Sequence, residues 1–220
     1  MSLHLQRDLD QLKKEILQLG SMVETAINNA ILALNDRRPE LAENVFSEEI
    51  LIDEKEVLIE EDCLKILALH QPVAVDLRFI VVVLKVNNDL ERMGDFAVNV
   101  AKRAVFLSSQ NPIPYPPEFT DKMSKSIRTM VHNSLDALVK LDVDLARNVI
   151  AMDDVVDDVN RQMYVELQAL MENDSSTIER AIGLLSTSRY LERIADLATN
   201  IAEDVIFMVE GEVVRHQTGC

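Results

Sequence analysis

The residues from Asp89 read DLERMGDFAVN, and those from Tyr190 read YLERIADLATN. Both lines keep Leu-Glu-Arg, an Asp four residues after the Glu, and an Asn four residues after the Asp. The apolar letters between them drift, Met93 to Ile194 and Phe96 to Leu197. The copying extends upstream at a spacing of 104, where Ile27 meets Val131, Ile31 meets Leu135, Ala33-Leu34 meets Ala137-Leu138, and Asn44-Val45 meets Asn148-Val149. In the final segments the spacing is 101, the difference being absorbed in the loop before them. A chain written this way must fold as two copies of one unit.

Four of the six prolines fall within SSQNPIPYPPEFTD, from Ser108 to Asp121. That stretch cannot continue a helix and predicts an extended spacer between the copies. Around it the periodicity is helical throughout. The first half predicts helices from about Leu3 to Asn35, from Pro39 to about Leu69, and from about Ala74 to Leu107, with breaks at NDRRP and HQP. The second half predicts a helix to about Leu141, a turn at Asp142 with Asp144 as its cap, a helix to about Met171, and a last helix reaching Glu210 before Gly211 stops it. ENDSST marks the loop before that last helix. Long helices joined by short turns lie antiparallel at shallow angles. The expected fold is all-α, two tandem antiparallel three-helix bundles related by an internal pseudo-twofold. The first spans 1–107 and the second 120–211, with a linker at 108–119 and a tail at 212–220.

Composition narrows the chemistry. Only 4% of the 220 residues are aromatic and five are glycine, which suits Leu-, Ile-, Val-, Met- and Ala-packed helices and rules out a P-loop or dinucleotide cradle. Met22, Met93, Met130 and Met171 read as core filler. The formal charge of −16 opposes binding to nucleic acid or an anionic bilayer and favours cations or basic protein surfaces. Cys63 reads as a small core residue, and Cys220, beside His216 in the tail, does not pair with it into a disulfide framework. The N-terminus has no apolar leader and FIVVVLKV is too short to span a bilayer, so a soluble cytoplasmic chain is expected.

The 104 spacing also aligns EILID, Glu49 to Asp53, with DDVVD, Asp153 to Asp157. Each half therefore carries two E/D-x-x-x-D pairs: Glu49/Asp53 with Glu91/Asp95, and Asp153/Asp157 with Glu192/Asp196. With Glu91 at zero and about 100° per residue, Asp95 falls near 40° and Asn99 near 80°, while the apolar residues fill the arc from about 180° to 340°. The acids rim the apolar face instead of sitting within it. Arg92 and Arg193, three residues before Asp95 and Asp196, would make these ordinary salt-bridged surfaces. Yet like charges at i, i+4 cost a helix about 0.2–0.5 kcal/mol per pair. Four such pairs call for something that offsets the repulsion. A hard divalent or ferric cation would do so, since two facing helices offer up to eight carboxylate oxygens. On spacing alone both readings stand.

LERMGDFAVNVA and YLERIADLATNIAEDV, together with SEEILID, AMDDVVDDV and HQPVAVDLR, closely resemble the PhoU family over essentially the whole chain. The resemblance implies tandem three-helix bundles whose paired acids bind multinuclear metal clusters. It nominates Glu49, Asp53, Glu91, Asp95, Asp153, Asp157, Glu192 and Asp196 as metal ligands, with Asn99 and Asn200 as supporting groups. Iron, zinc, manganese and magnesium are the ions it suggests. It further implies a homodimeric, non-enzymatic regulator, in contact with a phosphate ABC transporter complex and a sensor histidine kinase at the inner face of the membrane. Such a regulator restrains phosphate uptake and the transcriptional response to phosphate starvation.

Two alternatives differ in class. A metal-free acidic adaptor would use the same carboxylates to dock a basic partner. A di-metal carboxylate enzyme needs E-x-x-H on two helices. His4, His70, His132 and His216 follow Met1, Leu67, Thr129 and Val213 at that spacing, so the motif is absent. No nucleophile arrangement marks a hydrolase, although clustered carboxylates would also serve a metal-dependent phosphatase.

Overall fold

The structure, a computed structural model, describes residues 3–211. Six helices account for nearly all of them: α1 Leu3–Asn35, α2 Glu40–His70, α3 Ala74–Ser108, α4 Ser124–Lys140, α5 Val143–Asn173 and α6 Ile178–Glu210. The tail at 212–220, with His216 and Cys220, lies outside the described residues. Helices α1, α2 and α3 pack on one another, as do α4, α5 and α6. The two bundles join through α3 against α6 and α1 against α4, so their buried side chains merge into one continuous core.

The duplication extends to the backbone. Arg37 and Leu141, equivalent at the 104 spacing, both take the left-handed conformation that ends the first helix of each half, at φ 53° and 54°. A non-glycine residue there costs roughly 1–2 kcal/mol, and the two residues offset it differently. Arg37 donates from Nη2 to the carbonyls of Leu107 (2.8 Å) and Ser108 (3.1 Å), capping the free end of α3, which has no glycine of its own. Leu141 is half-exposed and donates only its backbone N–H, to Ala137 O.

Three details depart from the sequence reading. The cap of α5 is Asp142 rather than Asp144: Asp142 is extended, and its carboxylate accepts from Leu145 N at 2.9 Å. Asp144 sits in the first turn, where its charge favours the helix N-terminus. Between the linker and α4 lies a π-helical turn, Phe119–Met123. Pro116 and Pro117 set its entry, and its wide ring lets both Phe119 and Met123 reach the core, each fully buried. Finally, α4 is about half the length of α1. At the 104 spacing the first turns of α1 correspond to the proline linker, so Leu5, Leu9 and Leu12 bury a stretch that the second half lacks.

Cys63 is fully buried, and desolvation pushes its thiol up to about 12, as befits a core residue. Met93 and Met130 are buried, and Met22 and Met171 pack against the core from its edge. No helix among the described residues is long and apolar enough to cross a membrane.

Candidate metal centres

The acids of each half come from two adjacent antiparallel helices, and the approach of those helices is set beside the acids. On α2, Ile52 lies between Glu49 and Asp53. On α3, Gly94 lies between Glu91 and Asp95. A Cβ on Gly94 would meet Ile52 Cδ1 and Cγ2 at 3.4 Å, in van der Waals contact, so α2 and α3 approach closely here with Ile52 packed on the glycine. In the second half the equivalent residues are Val156 and Ala195, both fully buried. Valine with alanine holds as many side-chain carbons as isoleucine with glycine. One methyl has moved across the interface, and the volume is kept.

The close approach brings the four acids of each half within reach of one another's charge. In the first half burial raises the Glu49 carboxyl above its ordinary value, with Asp53 and Asp95 adding to the rise and Lys102 opposing it. Burial raises Asp53 as well, and Asp95 across the helix pair adds to that. Glu91 is raised by burial and then by Asp95, Asp53 and Glu56. In the second half Asp153 is pushed up to about 6 by burial together with Asp196, Asp157, Glu192 and Asp154. Burial raises Glu192 and Asp196 too, against the opposing charge of Arg193. Charged carboxylates crowded in this way, several of them partly desolvated, attract a cation.

The halves are not identical. Arg193 pairs with Asp196 at 3.1 Å and lies 3.8 Å from Glu192, and Arg161 reaches Asp157 at 3.9 Å. Among the described residues no comparable ion pair serves Glu49, Asp53, Glu91 or Asp95, so the Arg92–Asp95 pairing open to the sequence is not made. Arg92 instead lines a cavity of about 260 Å³ where the halves meet, with Phe96, Asp153, Arg193, Asp196 and Asn200. Asp153 Oδ1 is buried and has no hydrogen-bond partner. Asn200 thus lies beside the second set. Asn99 is half-buried one turn beyond Asp95, and no contact places it in the first.

Sequence reasoning missed a polar layer one turn from the acids. Asn87, buried four residues before Glu91, donates from Nδ2 to Glu56 O (2.9 Å) and Glu56 Oε1 (3.1 Å). Ser188, four residues before Glu192, donates to Asn160 Oδ1 at 2.7 Å. Asn160 is the repeat equivalent of Glu56. Each half therefore pins its two acid-bearing helices at the same level, through two hydrogen bonds from Asn87 in the first and one from Ser188 in the second. The signal lay in the repeat itself, as a polar residue one turn before each Glu. Glu56 also adds a fifth carboxylate to the first set, its own carboxyl raised by burial, Glu60 and Asp53.

As they stand, no three His, Cys, Asp or Glu among the described residues form a group that would hold a metal ion. The chemistry of the donors does fit a hard cation. Each set is all carboxylate, mutually repelling, and in the second an orphaned buried oxygen lacks a partner.

Comparison with known proteins agrees with this architecture. A family model described as PhoU domain matches residues 16–104 and again 120–205, so each half is one match. The phosphate-specific transport system accessory protein PhoU homolog of Aquifex aeolicus is 40% identical over 211 residues, covering 96% of this chain and 95% of that protein. The phosphate-specific transport system accessory protein PhoU of Escherichia coli K12 is 32% identical over 212 residues, covering 96% and 88%. The crystal structure of PhoU from Pseudomonas aeruginosa superposes with a TM-score of 0.91 at 37% identity, covering 94% of this chain and 99% of that one. That of the phosphate transport system regulatory protein PhoU from Streptococcus pneumoniae gives 0.87 at 28%, covering 96% and 99%. These relatives are named as accessory and regulatory proteins, not as enzymes. With the repeat, the paired bundles and full-length relatives in agreement, the chain belongs to the PhoU family.

Proposed function

We propose that this protein regulates phosphate uptake by contact with a phosphate-specific transporter. It couples that transporter to a sensor histidine kinase, and it restrains both uptake and the starvation response when phosphate is plentiful. The naming of its relatives as transport accessory proteins supports the transporter as partner. A regulator of this kind works from the cytoplasmic side as a homodimer.

The observation that carries the metal part of the reading is the duplicated carboxylate set. Glu49, Asp53, Glu91 and Asp95 would hold one cluster, and Asp153, Asp157, Glu192 and Asp196 the other. The bound ions would neutralise charge that the apo protein leaves crowded. An all-oxygen donor set favours magnesium, manganese or ferric iron over zinc, which prefers to include His or Cys. The chain's own part is to hold the acid-bearing helices at fixed separation through Ile52/Gly94 and Val156/Ala195, and in register through Asn87–Glu56 and Ser188–Asn160.

A second reading has an observation of its own. Arg193 and Arg161 already pair with acids of the second set, so guanidinium groups, here or on a basic partner, can stand where a metal would. One experiment separates regulation from mere presence. A starvation-responsive reporter and phosphate uptake are followed in cells lacking the gene and resupplied with wild type or with all eight acids neutralised. Repression by wild type at high phosphate, lost in the neutralised variant, supports the regulatory reading. An unrepressed reporter with wild type contradicts it.

A further inference from the structure

Helix α2 has a face that the fold does not use. With Ile50 at zero and about 100° per residue, Val45, Ile52, Ile59, Cys63 and Ile66 point between about 160° and 220°, into the core. Glu49, Asp53 and Glu56 follow between about 240° and 300°, toward α3. On the opposite side two apolar rows run along the helix. Ile50, Val57 and Leu64 form one and Leu51, Leu58 and Leu69 the other, every one of them at least half-exposed. Between the rows stand the exposed acids Glu54 and Glu61.

The pattern belongs to one half only. At the 104 spacing, the residues equivalent to Ile50, Val57, Leu58, Leu64 and Leu69 are Asp154, Arg161, Gln162, Gln168 and Asn173; only Leu51 meets an apolar counterpart, Val155. On α5 the same outer face is mostly polar, with Val155 and Val165, the counterparts of Leu51 and Glu61, as its exposed apolar residues. The first half instead exposes aliphatic side chains in rows set largely at heptad spacing, the kind of apolar surface that marks an interaction site.

We infer that the outer face of α2 docks a basic amphipathic helix from a partner protein. Charge selects this occupant. Paired with a second copy, the face would set Glu54 and Glu61 against Glu54 and Glu61, and only Lys65 among the cations lies on the same side. An anionic bilayer would meet the same acids on a chain of formal charge −16. A helix with two apolar seams and Lys or Arg between them satisfies both the rows and the acids. The inference takes from the proposed function only that the protein acts by contact, and metal content does not enter it.

The probe is a labelled three-heptad peptide of about 21 residues, with Leu at a and d and Lys at the flanking positions, beside a copy with Glu for Lys. Binding is followed by fluorescence anisotropy with the full chain. Wild type should take the Lys peptide in a salt-dependent manner and refuse the Glu peptide. Val57→Gln/Leu58→Gln/Leu64→Gln keeps the charge and, since the sites are exposed, the fold, which circular dichroism checks. It should weaken binding by roughly tenfold or more. Glu54→Gln/Glu61→Gln should reduce the preference for Lys over Glu. No binding by wild type, or equal binding by the triple variant, overturns the inference. So does self-association of wild type in sedimentation that the triple variant abolishes, which assigns the face to a second copy. Flotation with phosphatidylserine-containing vesicles through the same residues assigns it to a membrane and overturns the inference as well. Failure here leaves the uptake and reporter assay untouched, so the two readings fall separately.

Discussion

The two acidic sets share helices, spacing and a hydrogen-bonded layer beneath them, yet they settle their charge in opposite ways. The first set has five carboxylates, Glu56 included, and no ion pair to Lys or Arg among the described residues. The second has an asparagine in place of Glu56, two arginines in contact with its acids, and a deeper Asp153 whose carboxyl is raised to about 6. Duplication preserved the donors, whereas their surroundings diverged. The four positions are acidic in both halves, and the cations beside them differ. On the proposed metal reading the first set would lean harder on an external cation, since the second is partly neutralised by its own chain.

The seam between the halves shows the same divergence and offers the largest expected effect. Lys85 on α3 reaches the buried Asp204 on α6 at 3.0 Å and lies over the Phe207 ring. The repeat equivalents, Ser186 and Arg103, form no such pair among the described residues. Lys85→Met should cost about 3 kcal/mol, because it strips a buried carboxylate of its ammonium. Urea unfolding would show it as a lower midpoint at unchanged slope, and Ser186→Ala should do far less.

Next in size is the methyl exchanged across the helix pairs. Ile52→Val alone should cost about 1 kcal/mol. Added to Gly94→Ala, which supplies the missing methyl and roughly 1 kcal/mol of helix propensity, it should cost nothing. A double-mutant cycle reads this as favourable coupling. Additive effects would show that the two halves do not keep a common interhelical volume.

The pH dependence separates the sets in turn. Asp153 binds its proton more tightly in the folded chain than in the unfolded one. Its contribution to stability is therefore fully present below its ordinary value of 3.8, and it is lost as pH rises through about 6. Above that, the metal-free protein carries a half-buried, unpartnered charge. Asp153→Asn should stabilise the metal-free protein at pH 8 by about 1 kcal/mol after allowance for its exposure, read as a higher melting temperature. It should also flatten the melting profile between about pH 4 and 6. Glu49→Gln, the equivalent change, acts in the same direction with a smaller effect, since Glu49 is the less desolvated of the two. The smallest expected difference is that of the arginines. Arg193→Ala should cost a few tenths of a kcal/mol, as exposed pairs do, and raise Asp196 further. Arg92→Ala, which removes no ion pair from the first set, should change stability less still, and an NMR titration of the Asp196 carboxyl carbon checks the shift expected of Arg193→Ala.

The fold was legible because its cause is periodic. Long amphipathic runs, a proline block and Gly211 set the helices to within a residue or two at most ends. The exceptions are local: neither a side-chain cap at Asp142 nor a π-turn after Pro116-Pro117 leaves a periodic trace. The eight acids were legible because a repeat preserves them, and the structure brings each four onto one helix pair. Their differences were not legible. Whether Arg193 folds onto Asp196 while Arg92 turns into the seam depends on rotamers and on how the halves meet. Glu56 escaped notice because its counterpart is Asn160, so the very comparison that revealed the other acids hid this one. The outer face of α2 escaped for a related reason, since an apolar residue in a helix reads as core until the core is seen on the other side.

The central claim is that each half holds its own cation site, and elemental analysis with multi-metal detection on untagged protein tests it most directly. Wild type would be compared with Glu91→Gln/Asp95→Asn and with Glu192→Gln/Asp196→Asn, circular dichroism confirming that all three are folded. Wild type should carry more than one ion per chain, with each variant losing the share of its own half and the first-half variant losing the more tightly held ions. Wild type that carries no metal, even after reconstitution with iron, manganese, zinc and magnesium, would contradict it and leave the carboxylates as a docking surface.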